Sequence, residues 1–542
     1  MIQKLFKAVL LSGGIMICTA GSVLAQHIGI IPQPQQVEVG MDSLLISKNL
    51  TIYAQGSEVN SLLYLKQNLL DRFQIYANDN REKPSLITFQ AYKKNKNIIP
   101  SEESYELEIG SKGIVITADG EKGYFNAINS LLQLFFHYEN KGQIKLPSVR
   151  IQDSPAYSWR GFMLDESRHF FGKKKVKQLL DYMAFYKLNK FHWHLTDEPA
   201  WRIEIKQYPF LTLVGGVGTY LNPLVPAQYY TQEDIKEIVA YAAQRQIEVI
   251  PEIDMPGHAT AANRAYPQFS GGGTKDHPDF TFHPAKEGTY RYLANILKEV
   301  SVLFPGQKIH LGGDEVAFGS EAWNSDQSIQ ELKKQKGYST NKEVETYFMR
   351  RMADSVFNMG AKLVVWDEMA DADLPKDRTI QMWWRHDKIA QLDLVLKNGY
   401  STVICPRIPF YFDFVQVNEH QFGRKWSSAF SPLEAVYNYD MQALHARQIR
   451  PGQILGVQAN LWTERVPNEQ RLDFMVFPRI AALAETAWTP AGKKNFEAFN
   501  KILKKHLNLY QSDHIYYFDP FGNSNAEPKV EGSSKKYIDN PE

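Results

Sequence analysis

Short apolar runs alternate with amphipathic stretches from about residue 158 onward. Nearly continuous apolar runs of about four to eight residues are typical of strands that are buried on both faces of a parallel sheet. Eight such runs occur, in the order WRGFMLD, KFHWHLTD, IEVIPEID, KIHLGGDE, KLVVWDE, TIQMWW, STVICP and ILGVQANLW. The intervening stretches carry apolar residues at helical spacing, and one opens with Thr231 and Asp234 as a capping pair.

This alternation predicts an α/β fold in which residues 155–510 form a (β/α)₈ TIM barrel. An open, doubly wound sheet is the alternative topology. It is disfavoured because no glycine-rich phosphate loop follows the first apolar run.

The region before the barrel has a different pattern. Strand-like runs such as SYELEIGSKGIVITA are punctuated by Gly110 and Gly113, and the helical pattern YFNAINSLLQLFFHY follows them. We therefore predict a smaller α/β domain over residues 26–154, which ends near Asp153-Ser154-Pro155. At the other end, residues 511–542 form a C-terminal tail, and its polar part from Asn523 onward is predicted to be disordered.

The first 25 residues have the composition of a secretory signal peptide. Lys4 and Lys7 precede an apolar segment, and Val23-Leu24-Ala25 supplies a small-residue cleavage site. Lipidation at Cys18 is the alternative to cleavage after Ala25. Either route predicts export across the inner membrane to the periplasm or the bacterial cell surface, without a transmembrane segment once the signal is removed. Cleavage would leave Cys405 as the one cysteine, so no internal disulfide is expected.

The balance of basic and acidic residues excludes some classes of partner, and the aromatic content suggests another class. The 61 Lys and Arg residues nearly balance the 60 Asp and Glu residues, so no charge excess points to nucleic acid or to an anionic membrane surface. Aromatic residues make up 13% of the chain, and aromatic rings pack well on the apolar faces of sugars.

Acidic, histidine and tryptophan side chains follow the ends of all eight predicted strands. Active sites of TIM barrels lie at these carboxyl ends, so these residues are candidates for one site. In chain order they are Asp165, Arg168, His194, Asp197, Asp254, His258, Asp314, Glu315, Trp366, Asp367, Trp383, Trp384, Tyr411, Asp413, Trp462 and Glu464. Acids and tyrosines hydrogen-bond hydroxyl groups and tryptophans pack on pyranose rings, so the composition predicts a carbohydrate site.

The pair Asp314-Glu315 is the strongest candidate for chemistry. Hydrolysis of a glycosidic bond needs an acid for the leaving oxygen and a nucleophile at the anomeric carbon. Gly312-Gly313 allows the chain to bend where the strand ends, so that both carboxylates can reach one cavity. Taken alone, an Asp-Glu pair is more often a solvated turn, Trp366 and Trp462 are more often core residues, and Arg168 is more often a surface ion-pair partner.

Two other functions fit part of the pattern. A metal-dependent hydrolase could use His192, His194, His258 and Asp314 as ligands, although the later strand ends offer tryptophans rather than another histidine. A non-catalytic glycan-binding protein would use the aromatic mouth alone, and the presence of both Asp314 and Glu315 argues against it.

The chain resembles glycoside hydrolase family 20, the exo-acting β-N-acetylhexosaminidases. The matching motifs are RGFMLDESRHFF, NKFHWHLTDEPAWRIEI, VIPEIDMPGHA, IHLGGDEV, VVWDE, CPRIPFYFDF and LWTE in the family's order, together with IIPQPQQVEV and GYFNAINSLLQLF in the preceding domain. The resemblance covers nearly the whole chain after the signal. It implies a substrate with a terminal β-linked N-acetylhexosamine on an oligosaccharide or glycoconjugate, and no metal or organic cofactor.

The resemblance also implies a role for each site residue. In such enzymes the 2-acetamido oxygen of the substrate is the nucleophile and forms an oxazolinium intermediate, an exception to the scheme with two carboxylates. Glu315 matches the general acid and base, Asp314 the partner of the acetamido N–H, and Tyr411 the donor to the acetamido oxygen. Asp197 and His258 match a relay behind Glu315. Trp366, Trp384 and Trp462 match the pocket walls, with Trp383 as the alternative to Trp384. Arg168, Asp413 and Glu464 match the residues that hold the hydroxyls of the terminal sugar.

The segment HLTDEPAWR departs from the family pattern. Two aspartates followed by Gln-Gly or a similar pair are more usual, whereas Glu198-Pro199-Ala200 follows Asp197 in this chain. The resemblance therefore implies the relay aspartate but leaves the preference for the leaving group open.

Overall fold

The computed structural model describes residues 28–54, 59–80, 84–92, 101–522, 525–530 and 537–539. The predicted signal peptide, with Cys18, lies outside these residues. Within them, no helix is both long enough and apolar enough to span a bilayer. Cys405 is buried and is not paired in a disulfide.

The first domain is a mixed sheet covered by two helices. Its described strands are β1 (Gln36–Ile46), β2 (Asn49–Tyr53), β3 (Tyr76–Asp79), β4 (Ile87–Gln90), β5 (Tyr105–Gly110), β6 (Gly113–Thr117), β7 (Glu139–Asn140) and β8 (Gln143–Asp153). They are ordered β1-β8-β5-β6-β4-β2-β3, with β7 beside β8. Burial alternates along β5 and β6, because one face of the sheet packs against helices α1 (Val59–Phe73) and α2 (Glu121–Tyr138).

A closed parallel barrel follows, which confirms the predicted fold. Among the described residues its eight strands are β9 (Trp159–Asp165), β10 (Lys190–His194), β11 (Glu248–Glu252), β14 (Lys308–His310), β15 (Lys362–Trp366), β16 (Thr379–Trp383), β17 (Ser401–Ile404) and β19 (Ile454–Leu461). Each of the eight predicted runs contains one of them. Two hairpin strands, β12 (Ser270–Gly272) and β13 (Thr281–Phe282), lie in the loop after β11, and β18 (Arg424–Trp426) lies in the loop after β17.

Amphipathic helices surround the barrel and shield its apolar strands from water. Their bounds are α3 (Gly172–Phe185), α4 (Phe210–Leu213), α5 (Gln232–Ala243), α6 (Thr260–Ala265), α7 (Glu287–Leu303), α8 (Gln327–Lys336), α9 (Asn341–Asn358), α10 (Ile389–Lys397), α11 (Arg407–Phe410), α12 (Leu433–Tyr437), α13 (Met441–His445), α14 (Glu469–Val476), α15 (Arg479–Trp488) and α16 (Phe496–Ser512). The predicted capping pair is confirmed, because Thr231 and Asp234 form a reciprocal capping box at the start of α5.

A buried polar cluster joins the two domains. Asp153, the last residue of β8, accepts hydrogen bonds from Tyr105 at 2.7 Å and from the Trp488 indole at 3.0 Å. The Lys187 ammonium lies 3.3 Å from the same carboxylate, and both side chains are fully buried. Trp488 ends α15 of the barrel but packs in the core of the first domain, so a barrel helix completes that core.

The prediction of a disordered tail is wrong for residues 525–530. Glu527 accepts hydrogen bonds from the backbone N–H groups of Gln421 at 2.7 Å and Phe422 at 3.1 Å, and it pairs with the buried Arg471 at 2.9 Å. Val530 is buried as well. The polar composition of this segment reflects its hydrogen bonds to the barrel loop. Further on, β20 (Tyr537–Asp539) pairs in parallel with β18.

Candidate active site

A cavity of about 480 Å³ opens at the carboxyl ends of the barrel strands. Nine of the eleven predicted site residues line it, namely Arg168, His258, Asp314, Glu315, Trp366, Trp384, Tyr411, Trp462 and Glu464. The other two, Asp197 and Asp413, are buried and pair with residues of the cavity wall. The structure therefore brings all eleven into one neighbourhood.

Two glycines explain how adjacent carboxylates reach the same cavity. Strand β14 ends at His310, and Gly312 and Gly313 then adopt φ angles of +66° and +90°. A Cβ atom on Gly312 would lie 1.7 Å from Asp254, so a side chain does not fit there. The chain leaves strand geometry at this point, and the alternation of faces no longer separates Asp314 from Glu315.

Glu315 itself has a strained backbone, with φ 49° and ψ 23° in the left-handed region. Non-glycine residues in this region cost free energy and are concentrated at functional sites. Burial raises the pKa of Asp314 to about 8, and burial also raises the pKa of Glu315. A raised pKa suits Glu315 to donate a proton near neutral pH.

His258 links the two carboxylates to Asp197. Its Nε2 atom lies 3.6 Å from Asp314 and 3.7 Å from Glu315, and its Nδ1 atom donates to Asp197 at 3.0 Å. Burial opposes a charge on this imidazole, but Asp197 and Asp314 outweigh it and raise the pKa of His258 well above its usual value. Asp197 is also paired with Arg168 at 2.7 Å. Although burial favours its neutral form, Arg168 and His258 hold the pKa of Asp197 well below its usual value.

The hydrogen-bonded chain continues below the cavity. His194 donates to Asp197 at 2.8 Å and to Glu252 at 2.5 Å. Glu252 also accepts from the Trp366 indole at 2.9 Å and lies 2.9 Å from His310 and 3.0 Å from His192. Sequence reasoning missed Glu252 and His310. The signal for Glu252 was its position at the end of a predicted strand, two residues before Asp254.

The four ligands of the metal-dependent hypothesis do not come together in one compact group. Among the described residues, the compact groups of potential ligands are His192 with Glu252 and His310, His194 with Glu252 and Asp254, Asp197 with Asp254 and His258, and His258 with Asp314 and Glu315. Each group contains at most two of the four proposed ligands. The histidines instead have carboxylate hydrogen-bond partners, which accounts for their burial.

Aromatic rings form the cavity walls. Trp384 stacks on Tyr411 with ring centroids 6.2 Å apart, and Trp462 lies 6.1 Å from both Tyr411 and Trp366. Trp384 is the cavity residue of its pair, because Trp383 turns outward and donates to the backbone of Lys388 in the outer core.

Charged side chains occupy another part of the wall. Arg168 lies over the Trp462 ring at 5.1 Å, and Glu464 lies 3.8 Å from Arg424. Arg424 also lies 3.6 Å from Asp413. Sequence reasoning missed Arg424, together with Arg407 and Trp426, which also line the cavity. They lie beyond the ends of the barrel strands, Arg407 at the start of α11 and Arg424 and Trp426 in β18, where the apolar pattern of the barrel gives no signal.

A TIM barrel with paired carboxylates in an aromatic pocket is typical of a glycoside hydrolase. The model of the glycosyl hydrolase family 20 catalytic domain matches residues 157–491, and that of domain 2 of the same family matches residues 27–154. The chain therefore belongs to glycosyl hydrolase family 20, and its enzyme class is β-hexosaminidase.

Known proteins resemble the chain over most of its length. It is 32% identical to a β-hexosaminidase of Porphyromonas gingivalis over 94% of this chain and 66% of that protein. It is 33% identical to a β-hexosaminidase of Vibrio furnissii over 85% of this chain and 76% of that protein. A solved exo-β-N-acetylglucosaminidase of Vibrio harveyi superposes with a TM-score of 0.81 at 29% identity and covers 92% of this chain, which spans 79% of that structure.

Proposed function

We propose that the protein removes terminal β-linked N-acetylhexosamine residues from the non-reducing ends of glycans, through an oxazolinium intermediate and with retention of configuration. The observation that carries this proposal is that Asp314 and Glu315 both lie within 3.7 Å of the same atom, His258 Nε2. A retaining enzyme with a carboxylate nucleophile needs its two carboxylates on opposite sides of the anomeric carbon. Two adjacent carboxylates that share one histidine neighbour suit neighbouring groups of the substrate, the leaving oxygen and the 2-acetamido group, and this favours a nucleophile that belongs to the substrate.

In the first step, the acetamido oxygen bonds to the anomeric carbon, the glycosidic C–O bond breaks, and Glu315 gives its proton to the leaving oxygen. Asp314 accepts a hydrogen bond from the acetamido N–H group and offsets the positive charge of the intermediate. Tyr411 donates a hydrogen bond to the acetamido oxygen. In the second step, water bonds to the anomeric carbon and gives a proton to Glu315. The bond between that carbon and the acetamido oxygen breaks, which restores the acetamide. Each turnover therefore restores both carboxyl groups.

The pocket walls select one terminal sugar. Trp366, Trp384 and Trp462 enclose the acetamido group and the pyranose ring, while Arg168, Asp413 and Glu464 hydrogen-bond the outer hydroxyls. Asp197 and His258 hold Glu315 in position and adjust its protonation. A complex of the Vibrio harveyi relative with N-acetylglucosamine supports this choice of sugar.

The N-terminal residues support a site of action outside the cytoplasm. The signal peptide predicted over residues 1–25, with lysines before an apolar segment, supports export to the periplasm or the cell surface. Glycans outside the cytoplasm are accordingly the proposed substrates.

Replacement of the general acid tests the proposal. Glu315→Gln should lower kcat/KM on an N-acetylglucosamine disaccharide by about 10²–10⁴-fold, because the leaving oxygen then receives no proton. The loss should be much smaller with a dinitrophenyl glycoside, whose leaving group needs no acid. Glu321→Gln changes an exposed acid just beyond the active-site turn and should have little effect on either substrate. Equal losses on the two substrates would rule out the acid role.

A substrate without the acetamido group provides a second arm. The dinitrophenyl glucoside should be hydrolysed at a small fraction of the rate of the N-acetylglucosaminide, because it lacks the nucleophile. Comparable rates would show that a carboxylate attacks instead. Loss of activity with a chelator and its recovery with zinc would favour the metal-dependent mechanism.

A further inference from the structure

A fully buried arginine, Arg479, lies at the start of helix α15. Its Nη2 atom donates hydrogen bonds to the carbonyls of Phe412 at 2.6 Å and Met475 at 2.5 Å. Its Nη1 atom donates to the carbonyls of Phe414 and Ser431, both at 2.8 Å, and its Nε atom donates to that of Met475 at 3.1 Å. A guanidinium has five N–H donors, so every donor of this side chain has a partner.

The hydrogen-bond partners of Arg479 are neutral. Among the described residues, all five of these hydrogen bonds end on backbone carbonyls rather than on a carboxylate. Burial lowers the pKa of Arg479 to about 9, and the nearby Asp413 carboxylate opposes this effect. The planar fork of an arginine binds carbonyls of several segments at once, which the single ammonium group of a lysine does not match.

Two of the bound carbonyls flank Asp413, which holds a hydroxyl of the terminal sugar in the proposed function. Phe412 precedes Asp413 and Phe414 follows it, and Arg479 binds both carbonyls with one rigid group. The carbonyl of Asp413 itself accepts from the backbone N–H of Arg424 at 3.0 Å. Three successive carbonyls are therefore fixed, which leaves the backbone of Asp413 little freedom to rotate.

Regular secondary structure does not hold Asp413 in place. Helix α11 ends at Phe410 and strand β18 begins at Arg424, so Asp413 lies in the loop between them. The Phe412 ring packs against the Arg479 guanidinium at 4.5 Å, which adds a cation–π contact to the hydrogen bonds. Loops are more mobile than the elements they connect, so a loop residue that binds substrate needs support from outside. Arg479 supplies this support from the core.

We propose that Arg479 is a positioning residue for Asp413, and that it thereby sets how strongly the enzyme selects for one hydroxyl of the terminal sugar. The inference rests on the proposed function and adds the residue that enforces this selection. A fixed carboxylate discriminates against a sugar that lacks the hydroxyl, because the carboxylate is then left without that partner. A carboxylate that is free to move finds another partner instead. Arg424, which lies 3.6 Å from Asp413, offers one.

Three glycosides with the same leaving group measure this selection: the dinitrophenyl N-acetylglucosaminide and its 4-deoxy and 6-deoxy analogues. In the wild-type protein, kcat/KM for one analogue should be about 10–100-fold below that of the parent glycoside, because Asp413 loses a charged hydrogen bond. Asp413→Asn should reduce this ratio and so identifies the hydroxyl. Arg479→Lys should lower the same ratio by about threefold or more, while the ratio for the other analogue stays within about twofold. Such ratios do not depend on the fraction of the preparation that is folded.

Arg160→Lys is the matched control. Arg160 is also a buried arginine that donates to backbone carbonyls, those of Lys187 and Tyr157, but it lies outside the cavity. This change should leave both ratios at their wild-type values. Arg479→Lys in an Asp413→Asn background should lower the ratio no further than Asp413→Asn does, because the effect of Arg479 passes through Asp413.

Phe412→Leu is a milder variant for the case that Arg479→Lys does not fold. It removes the ring beside the guanidinium but keeps every carbonyl that Arg479 binds, and it should lower the same ratio by about twofold. An unchanged ratio in the folded variant, or equal kcat/KM for all three glycosides in the wild-type protein, would overturn the positioning role alone. A wild-type protein that does not hydrolyse the parent glycoside would overturn the proposed function and this inference with it.

Discussion

At the scale of single residues, His258 controls the charge of the site. Its imidazolium lies within 4 Å of Asp197, Asp314 and Glu315, and it lowers the pKa that burial would otherwise give Glu315. Burial still prevails, so the pKa of Glu315 is raised. Glu315 must be protonated to act as an acid, so its pKa sets the alkaline limb of the activity profile.

His258→Gln removes the positive charge and should therefore raise the pKa of Glu315 further. We expect the alkaline limb of kcat/KM to move to higher pH by about one unit, while the maximum rate falls because Glu315 loses its link to Asp197. Rates measured from pH 4 to 10 check this. His514→Gln, at an exposed histidine outside the cavity, should leave the profile in place. An alkaline limb that stays in place in His258→Gln would show that His258 does not set the protonation of Glu315.

At the scale of elements, the sequence predicts the strands and strand ends that depend on the residues of one short segment. The eight apolar runs predict the barrel strands, and the position of Asp314 and Glu315 after two glycines predicts their place at the mouth. The partners of Glu252 could not be predicted, because His192, His194 and His310 reach it from two other strands. Arg424 and Trp426 lie in a short strand paired with residues more than a hundred positions later, and no local signal marks such pairing.

The ordered tail segment around Glu527 supports the loop that carries Arg424 and Trp426. Glu527→Ala should remove the acceptor for two backbone N–H groups and leave the buried Arg471 without its carboxylate. The loop then loosens at one wall of the cavity. We expect KM for an N-acetylglucosaminide to rise about fivefold or more, with a smaller change in kcat.

Glu419→Ala is the matched control for this prediction, because it removes an exposed carboxylate from the same loop. It should leave KM close to the wild-type value. A Glu527→Ala protein with wild-type KM would mean that the tail segment only covers the loop and does not position it.

At the scale of the whole molecule, the buried pair of Lys187 and Asp153 joins the first domain to the barrel. The Lys187 ammonium also lies 4.6 Å from the Trp488 ring and donates to Tyr105 at 2.9 Å. Burial lowers the pKa of Lys187 because it disfavours the charged ammonium, and the nearby Asp153 carboxylate opposes this effect. Because Trp488 ends a barrel helix but packs in the core of the first domain, we expect the two domains to unfold together.

Lys187→Met should leave the Asp153 carboxylate buried without a cation and lower the free energy of unfolding by about 3–5 kcal/mol. Lys66→Met breaks an exposed pair with Asp79 in the first domain and should cost at most about 1 kcal/mol. Equilibrium unfolding in urea, followed by circular dichroism and by enzyme activity, measures both effects, and the two probes should change together. Adding Asp153→Asn to Lys187→Met should recover part of the loss, because the uncompensated charge is gone while the amide oxygen still accepts from the Trp488 indole and the amide N–H donates to the Tyr105 hydroxyl oxygen. If the double variant were no more stable than Lys187→Met, packing rather than charge would account for the loss.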